Sequence, residues 1–227
     1  VGVAGVAHLG LFGVLLPWGV LRAKRRLAHG AGRPPRDRYF LSVILEQLIF
    51  LSVSLAVSKL EWIPVFTAPI LTPATLGLTA ALFAMHAVVG IYRARLRVRR
   101  RDPGLWRIAP QTGKERGLWA TISLLAGVGE EITYRGVFVT LLQRLTHSFP
   151  VAAGLSAIVF GVSHATQGWT VAAIVAGYAV GWHLLAWLSG SLVLGMLVHV
   201  VHDLWIGFYV GHRVAREGGD PQEPTAA

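Results

Sequence analysis

Glu130 and Glu131 stand side by side in an otherwise apolar stretch, and Arg135 follows Glu131 by four residues. Farther along, His164 closes the run Phe160-Gly161-Val162-Ser163-His164, and His199 and Asp203 lie four apart in a third apolar stretch. Each ionised group placed at membrane depth costs roughly 2.5–3.5 kcal/mol on insertion scales, so groups retained there pair with one another or do chemistry. On a helix Glu131 and Arg135 share a face, with the acid on the favourable N-terminal side. Glu130 points about 100° away, lacks that partner and is free to serve as a general base. A carboxylate one turn from an imidazole, as Asp203 is from His199, fixes the tautomer of the ring. Taken singly, each pair also reads as packing: a buried ion pair, or a histidine bonded to a backbone carbonyl. Three such motifs on separate apolar segments imply a buried, water-activating site in a helical bundle, the site of an intramembrane hydrolase.

The segments that must position these groups are membrane-grade. Of 227 residues, 54% are hydrophobic and only 14% charged, against about 25% charged in soluble domains. Apolar helices are expected near 3–21, 39–58, 75–92, 118–143, 151–166, 170–188 and 190–210. This is an all-α polytopic bundle of about seven spans, with prolines 34, 35, 64, 69, 73, 103, 110 and 150 between the windows or at their edges. The net charge of +10 is concentrated: seven Lys and Arg lie in 22–38 and nine in 93–116, which is 16 of the 21. Basic clusters between apolar spans mark cytoplasmic loops and attract anionic headgroups. With no folded basic domain beside them, they do not indicate a nucleic-acid partner. Both loops inside and seven spans place the amino terminus outside and the carboxy terminus in the cytoplasm, in a multi-pass plasma or inner membrane protein. The basic cluster follows the first apolar stretch, an arrangement unlike a cleavable signal peptide. The absence of cysteine excludes disulfides, thiolate zinc sites and a cysteine nucleophile.

Glu-Glu-xxx-Arg, then Phe-xxx-His, then His-xxx-Asn or Asp is the ordered signature of the CPBP group. This group comprises type II CAAX prenyl endopeptidases and bacterial Abi-type membrane proteins. The chain resembles it at Glu130, Glu131, Arg135, Phe160, His164, His199 and Asp203. The resemblance implies peptide-bond hydrolysis of a membrane-associated peptide or protein. Glu130 and His164 would activate water, His199 and Asp203 would stabilise the oxyanion or orient the water, and Glu131, Arg135 and Phe160 would support them. Asp203 stands where an Asn could donate a hydrogen bond, and an ionised Asp cannot; it is either protonated or an orienting acceptor for His199. The resemblance leaves the metalloprotease question open: Glu130, His164 and His199 could hold Zn²⁺ with one open position, although His-Glu-xx-His is absent. Two rival readings keep the same fold, a non-catalytic immunity or chaperone-like membrane protein and a proton or ion pathway.

The resemblance divides the chain into amino-terminal helices with two basic loops (1–116), a catalytic helical core (117–212) and a polar tail (213–227), with 218–227 expected to be disordered. Glu46, Gln47 and His86 lie in earlier spans, where they could line the same cavity, although pairing with a backbone carbonyl or with each other is the simplest reading. His202 is expected to face away from His199, and His183 with the tryptophans to mark the membrane interface. Gly177-xxx-Gly181 and Gly207-xxx-Gly211 are read as tight packing. The absence of an internal repeat weighs against a transporter built of halves.

Overall fold

The computed structural model describes residues 1–29 and 35–216; the expected disordered tail, together with Pro34, lies outside the described residues. Eight helices and no strands make up the described residues. They are α1 (Val3–Ala28), α2 (Arg36–Leu60), α3 (Pro73–Arg99), the short α4 (Pro103–Ile108), α5 (residues 113–146), α6 (Phe149–Ser163), α7 (Trp169–Ser189) and α8 (Val193–Arg216). Five of them, α1, α2, α3, α7 and α8, are long and apolar enough to cross a bilayer. The sequence expectation was about seven spans. The other two candidates are α5, which carries the buried charges, and α6, whose 15 residues rise only about 22 Å. The chain is thus an all-helical, multi-pass membrane protein.

Local sequence accounts for the breaks. Thr72 caps α3 and Thr112 caps α5, each in a reciprocal capping box with the residue three positions on, Thr75 and Glu115. Pro73, Pro103 and Pro150 fill the first turns of α3, α4 and α6. Pro17, by contrast, lies inside α1, directly after a π-helical stretch at Leu11–Leu15.

Helix α2 shows the inverted amphipathicity of a membrane bundle. Leu41, Leu45, Leu48 and Ile49 form an exposed apolar stripe at helical spacing, whereas Gln47, Ser54 and Ser58 are buried. The inward polar groups are paired: Ser54 Oγ lies 2.8 Å from Thr133 Oγ1 on α5 and 3.0 Å from His8 Nε2 on α1. Lipid accepts the outer stripe, and buried hydroxyls need the inner partners.

The two ends of the bundle differ. At one end Arg36 gathers the basic connections, donating from Nε and Nη2 to the two Glu115 oxygens at 2.9 Å and from Nη2 to the Ala109 carbonyl at 2.7 Å. At the other end Glu61 accepts from the Gly2 and Gly5 backbone N–H groups and from Arg144. There too Thr67 donates to the Gly190 carbonyl, joining the 61–72 connection to the α7–α8 turn.

Burial alone would push the Glu115 carboxyl up, but the Arg36 guanidinium and the Gln111 and Thr112 N–H groups hold it below its ordinary 4.5. A depressed carboxyl stabilises the fold above its unfolded pKa, and that stability is lost as pH falls through the folded value. Thermal unfolding in detergent checks this. Glu115→Gln is expected to be less stable than wild type by about 1 kcal/mol at neutral pH. The difference should close as pH drops below 4.5.

Candidate active site

The long helix α5 changes its winding at the chemically important residues. Gly113–Glu130 is α-helical, Glu131–Phe138 is π-helical, and Val139–Thr146 is α-helical again. Single π turns inside α-helices are frequent at functional sites. All eight residues of the π segment are buried, so this wide coil runs through the centre of the bundle.

Two glycines let α8 close on this segment. A Cβ at Gly127 would lie 2.9 Å from the Val200 backbone nitrogen, and one at Gly195 would lie 3.0 Å from Glu131 Oε2. At Gly127 the α8 backbone takes the space a side chain would need, and at Gly195 the Glu131 carboxylate takes it, so α5 and α8 pack closely here. His199 is thereby set between the two glutamates. Its Nδ1 is 3.0 Å from Glu131 Oε1, and its Nε2 is 4.0 Å from Glu130 Oε2 and 3.6 Å from Asp203 Oδ2. An ionised carboxylate only accepts, so Nδ1 donates to Glu131 and Nε2 is the atom presented to Glu130 and Asp203.

The supporting contacts come from four helices. Arg135 Nε lies 3.6 Å from Glu131 Oε2, with both side chains essentially inaccessible, and its guanidinium carbon sits 4.1 Å from the centre of the Phe160 ring. Phe160 on α6 thus holds a buried cation against its π face. Gln47 on α2 donates from Nε2 to Glu130 Oε1 at 3.0 Å. Trp119 donates to the Asp203 carbonyl at 2.9 Å, and His202 Nδ1 lies 3.1 Å from Asp203 Oδ1.

His164, at the end of α6, touches this cluster through Phe160. Its ring packs edge to face on the phenyl at 4.7 Å, and Nδ1 donates to the Phe160 carbonyl at 2.9 Å. That bond leaves Nε2 as the lone-pair nitrogen of the neutral ring. Among the described residues no ion pair joins His164 to either glutamate.

The structure therefore brings Glu130, Glu131, Arg135, Phe160, His199 and Asp203 into one set, with His164 attached at its edge. The helical spacing that separates Glu130 from Glu131 does not isolate Glu130, because one imidazole spans both acids. Gln47, expected to pair with Glu46 or a carbonyl, is instead a direct partner of Glu130, while Glu46 is exposed within electrostatic reach of it. His86 bonds the Leu82 carbonyl at 2.9 Å, as expected, and stacks on Tyr178. His202, expected to face away from His199, contacts the same acid: its Nδ1 lies 3.1 Å from Asp203 Oδ1. His183 does not mark the interface; it is 2% exposed in the interior.

The donor set does not favour the zinc alternative that the sequence left open. Glu130, His164 and His199 do not converge, and no group of three His, Asp or Glu side chains among the described residues could hold a metal ion. The metalloprotease reading has no support in this geometry.

Residues 113–205 match a family model described as type II CAAX prenyl endopeptidase Rce1-like. The matched stretch contains every motif residue from Glu130 to Asp203 and spans under half of the chain. No curated protein and no solved structure matches.

Because Gln47 is the hydrogen-bond donor to Glu130 from α2, Gln47→Leu should leave a buried carboxylate oxygen unsatisfied and cost about 1–3 kcal/mol. Thermal unfolding of the purified variant measures this, with Gln47→Glu expected to be worse because it sets a third acid beside Glu130.

Proposed function

We propose, from a core that matches a protease family and buries the paired acids and histidines a hydrolase needs, that the chain is an intramembrane endopeptidase. The observation that carries this reading is His199 held at 3.0–4.0 Å from three carboxylates in an otherwise apolar bundle. A purely structural ion pair needs two groups, and here five ionisable side chains share one site. The substrate is a peptide or protein segment embedded in or lying on the bilayer.

Glu130 accepts a proton as water attacks the carbonyl carbon of the scissile bond, with His164 at the edge of the site, its Nδ1 held by the Phe160 carbonyl. A His199 imidazolium, its Nδ1–H held by Glu131, offers Nε2–H to the tetrahedral oxyanion. Collapse expels the amine, which takes the proton from Glu130. Asp203 is an orienting acceptor on His199, and Arg135 balances Glu131. Preorganised donors count heavily where water is excluded. With the basic loops cytoplasmic, the chain sits in the plasma or inner membrane with its amino terminus outside.

A second reading, a proton pathway, draws on the string of ionisable groups that continues past the site, from Asp203 to His202 at 3.1 Å and on to the His86 ring at 5.1 Å. It requires proton flux in sealed liposomes without peptide cleavage.

Cleavage of labelled membrane peptides by purified protein separates the readings. Glu130→Gln is expected to lower kcat by about 10²–10⁴-fold and Asp203→Ala by about 10–100-fold, both with the fold retained and with chelator having no effect. Undiminished cleavage by Glu130→Gln would overturn the mechanism.

A further inference from the structure

Beyond Asp203 the polar groups continue away from the glutamates into the seam between α8, α3 and α7. His202 Nδ1 lies 3.1 Å from Asp203 Oδ1, while Asp203 Oδ2 faces His199 Nε2 at 3.6 Å. One carboxylate thus spans two imidazoles of the same helix. An ionised carboxylate only accepts, so Nδ1–H of His202 is the donor and its Nε2 is the lone-pair nitrogen of the neutral ring. That Nε2 is buried without a hydrogen-bond partner. It lies against α3 where residue 90 is glycine: a Cβ there would be 3.3 Å from it, tighter than an ordinary contact.

Behind His202 stands a ring that is itself held on every side. His86 on α3 meets His202 edge to face, with ring centres 5.1 Å apart. An indole N–H only donates, and that of Trp182 on α7 lies 3.3 Å from His86 Nε2. His86 therefore carries its proton on Nδ1, which donates to the Leu82 carbonyl at 2.9 Å. Tyr178 stacks on the same ring at 3.7 Å. Both nitrogens of His86 are thus engaged, so the ring acts as a fixed wall behind His202. Asp203 is tied from α5 as well, its main-chain carbonyl accepting from Trp119 at 2.9 Å. The main-chain bond leaves the carboxylate free to turn about Cβ–Cγ, a torsion that is intrinsically broad. The His202 bond to Oδ1 is the contact that stops this rotation with Oδ2 toward His199.

We propose that His202, backed by His86, is a positioning residue: it locks the Asp203 carboxylate so that Oδ2 addresses His199 Nε2, the nitrogen presented to Glu130. Its effect on turnover rests on the hydrolytic reading; its effect on the Asp203–His199 geometry rests on the contacts alone. His86 lies outside the stretch that matches the protease family, residues 113–205, and neither histidine is a defined position of the three motifs.

The test uses the full chain in detergent, with labelled membrane peptides for turnover and ring-¹⁵N-labelled histidine for the geometry. His202→Leu removes the donor, and His202→Asn returns an N–H close to the place of Nδ1. His202→Leu is expected to lower kcat by about tenfold with KM unchanged and unfolding still cooperative, and to shift the His199 ring-nitrogen resonances. His202→Asn should restore both. His86→Ala, which removes only the wall, should act in the same direction and more weakly. A wild-type kcat or unmoved His199 resonances in His202→Leu would overturn the proposal, as would a His202→Asn chain equally impaired. So would a rise in KM with kcat unchanged, which would make His202 a substrate contact. If His202→Leu does not fold, His86→Ala decides, and unmoved resonances there reject the positioning role. If the wild-type protein cleaves no membrane peptide, the hydrolytic reading falls and the His199 resonances alone decide the positioning role.

Discussion

Charge neutralisation inside an apolar bundle is the constraint on which this structure depends. Glu130, Glu131, Arg135, His199 and Asp203 could not be buried one at a time, because an unpaired ion in low dielectric costs far more than a helix contact returns. They are tolerable as a set: Arg135 balances Glu131, His199 is shared among three acids, and Gln47 supplies the remaining hydrogen bond. The packing follows from that requirement. Gly127 lets the α8 backbone close on α5 and Gly195 leaves room for the Glu131 carboxylate, so that His199 can reach both glutamates, and Phe160 brings α6 against the guanidinium.

The same economy gives the bundle its inside-out character. Leu41, Leu45, Leu48 and Ile49 face outward on α2 while Gln47, Ser54 and Ser58 face inward, because lipid solvates alkyl groups and leaves hydroxyls and amides to find partners within the protein. A hydrolytic site in this setting gains from each fixed donor, since few waters compete with it. Arg135 occupies a boundary: on one side it faces Glu131 and the histidine cluster, on the other a cavity free of acids.

Much of the site was legible before the fold. Glu131–Arg135, His199–Asp203 and Phe160–His164 are each one helical turn apart, and helical geometry makes such neighbours meet wherever the helix lies. The all-helical class followed from the length and apolarity of the segments, and the breaks from prolines and caps. Gln47 was seen but given the wrong partner, since its role depends on α2 lying beside α5, 83 residues away in sequence. Trp119, which donates to the Asp203 carbonyl, carried no signal among eight tryptophans. His183 was misplaced at the interface because a histidine among apolar residues looks the same whether it faces headgroups or a buried arginine.

The amino-acid sequence by itself determined the helical, membrane-embedded class, the clustering of basic residues in two connections and the pairwise chemistry within each motif. These are local properties, set by transfer energies and by the repeat of a helix. Only the tertiary structure decided that one imidazole bridges two adjacent acids and that Glu130, His164 and His199 do not form a metal-binding trio. It also decided that Arg135 and His183 face a shared cavity. Those outcomes depend on the close approach of α5 and α8 at two glycines and on the π-helical widening of α5, which come from packing between distant segments rather than from the spacing along any one of them.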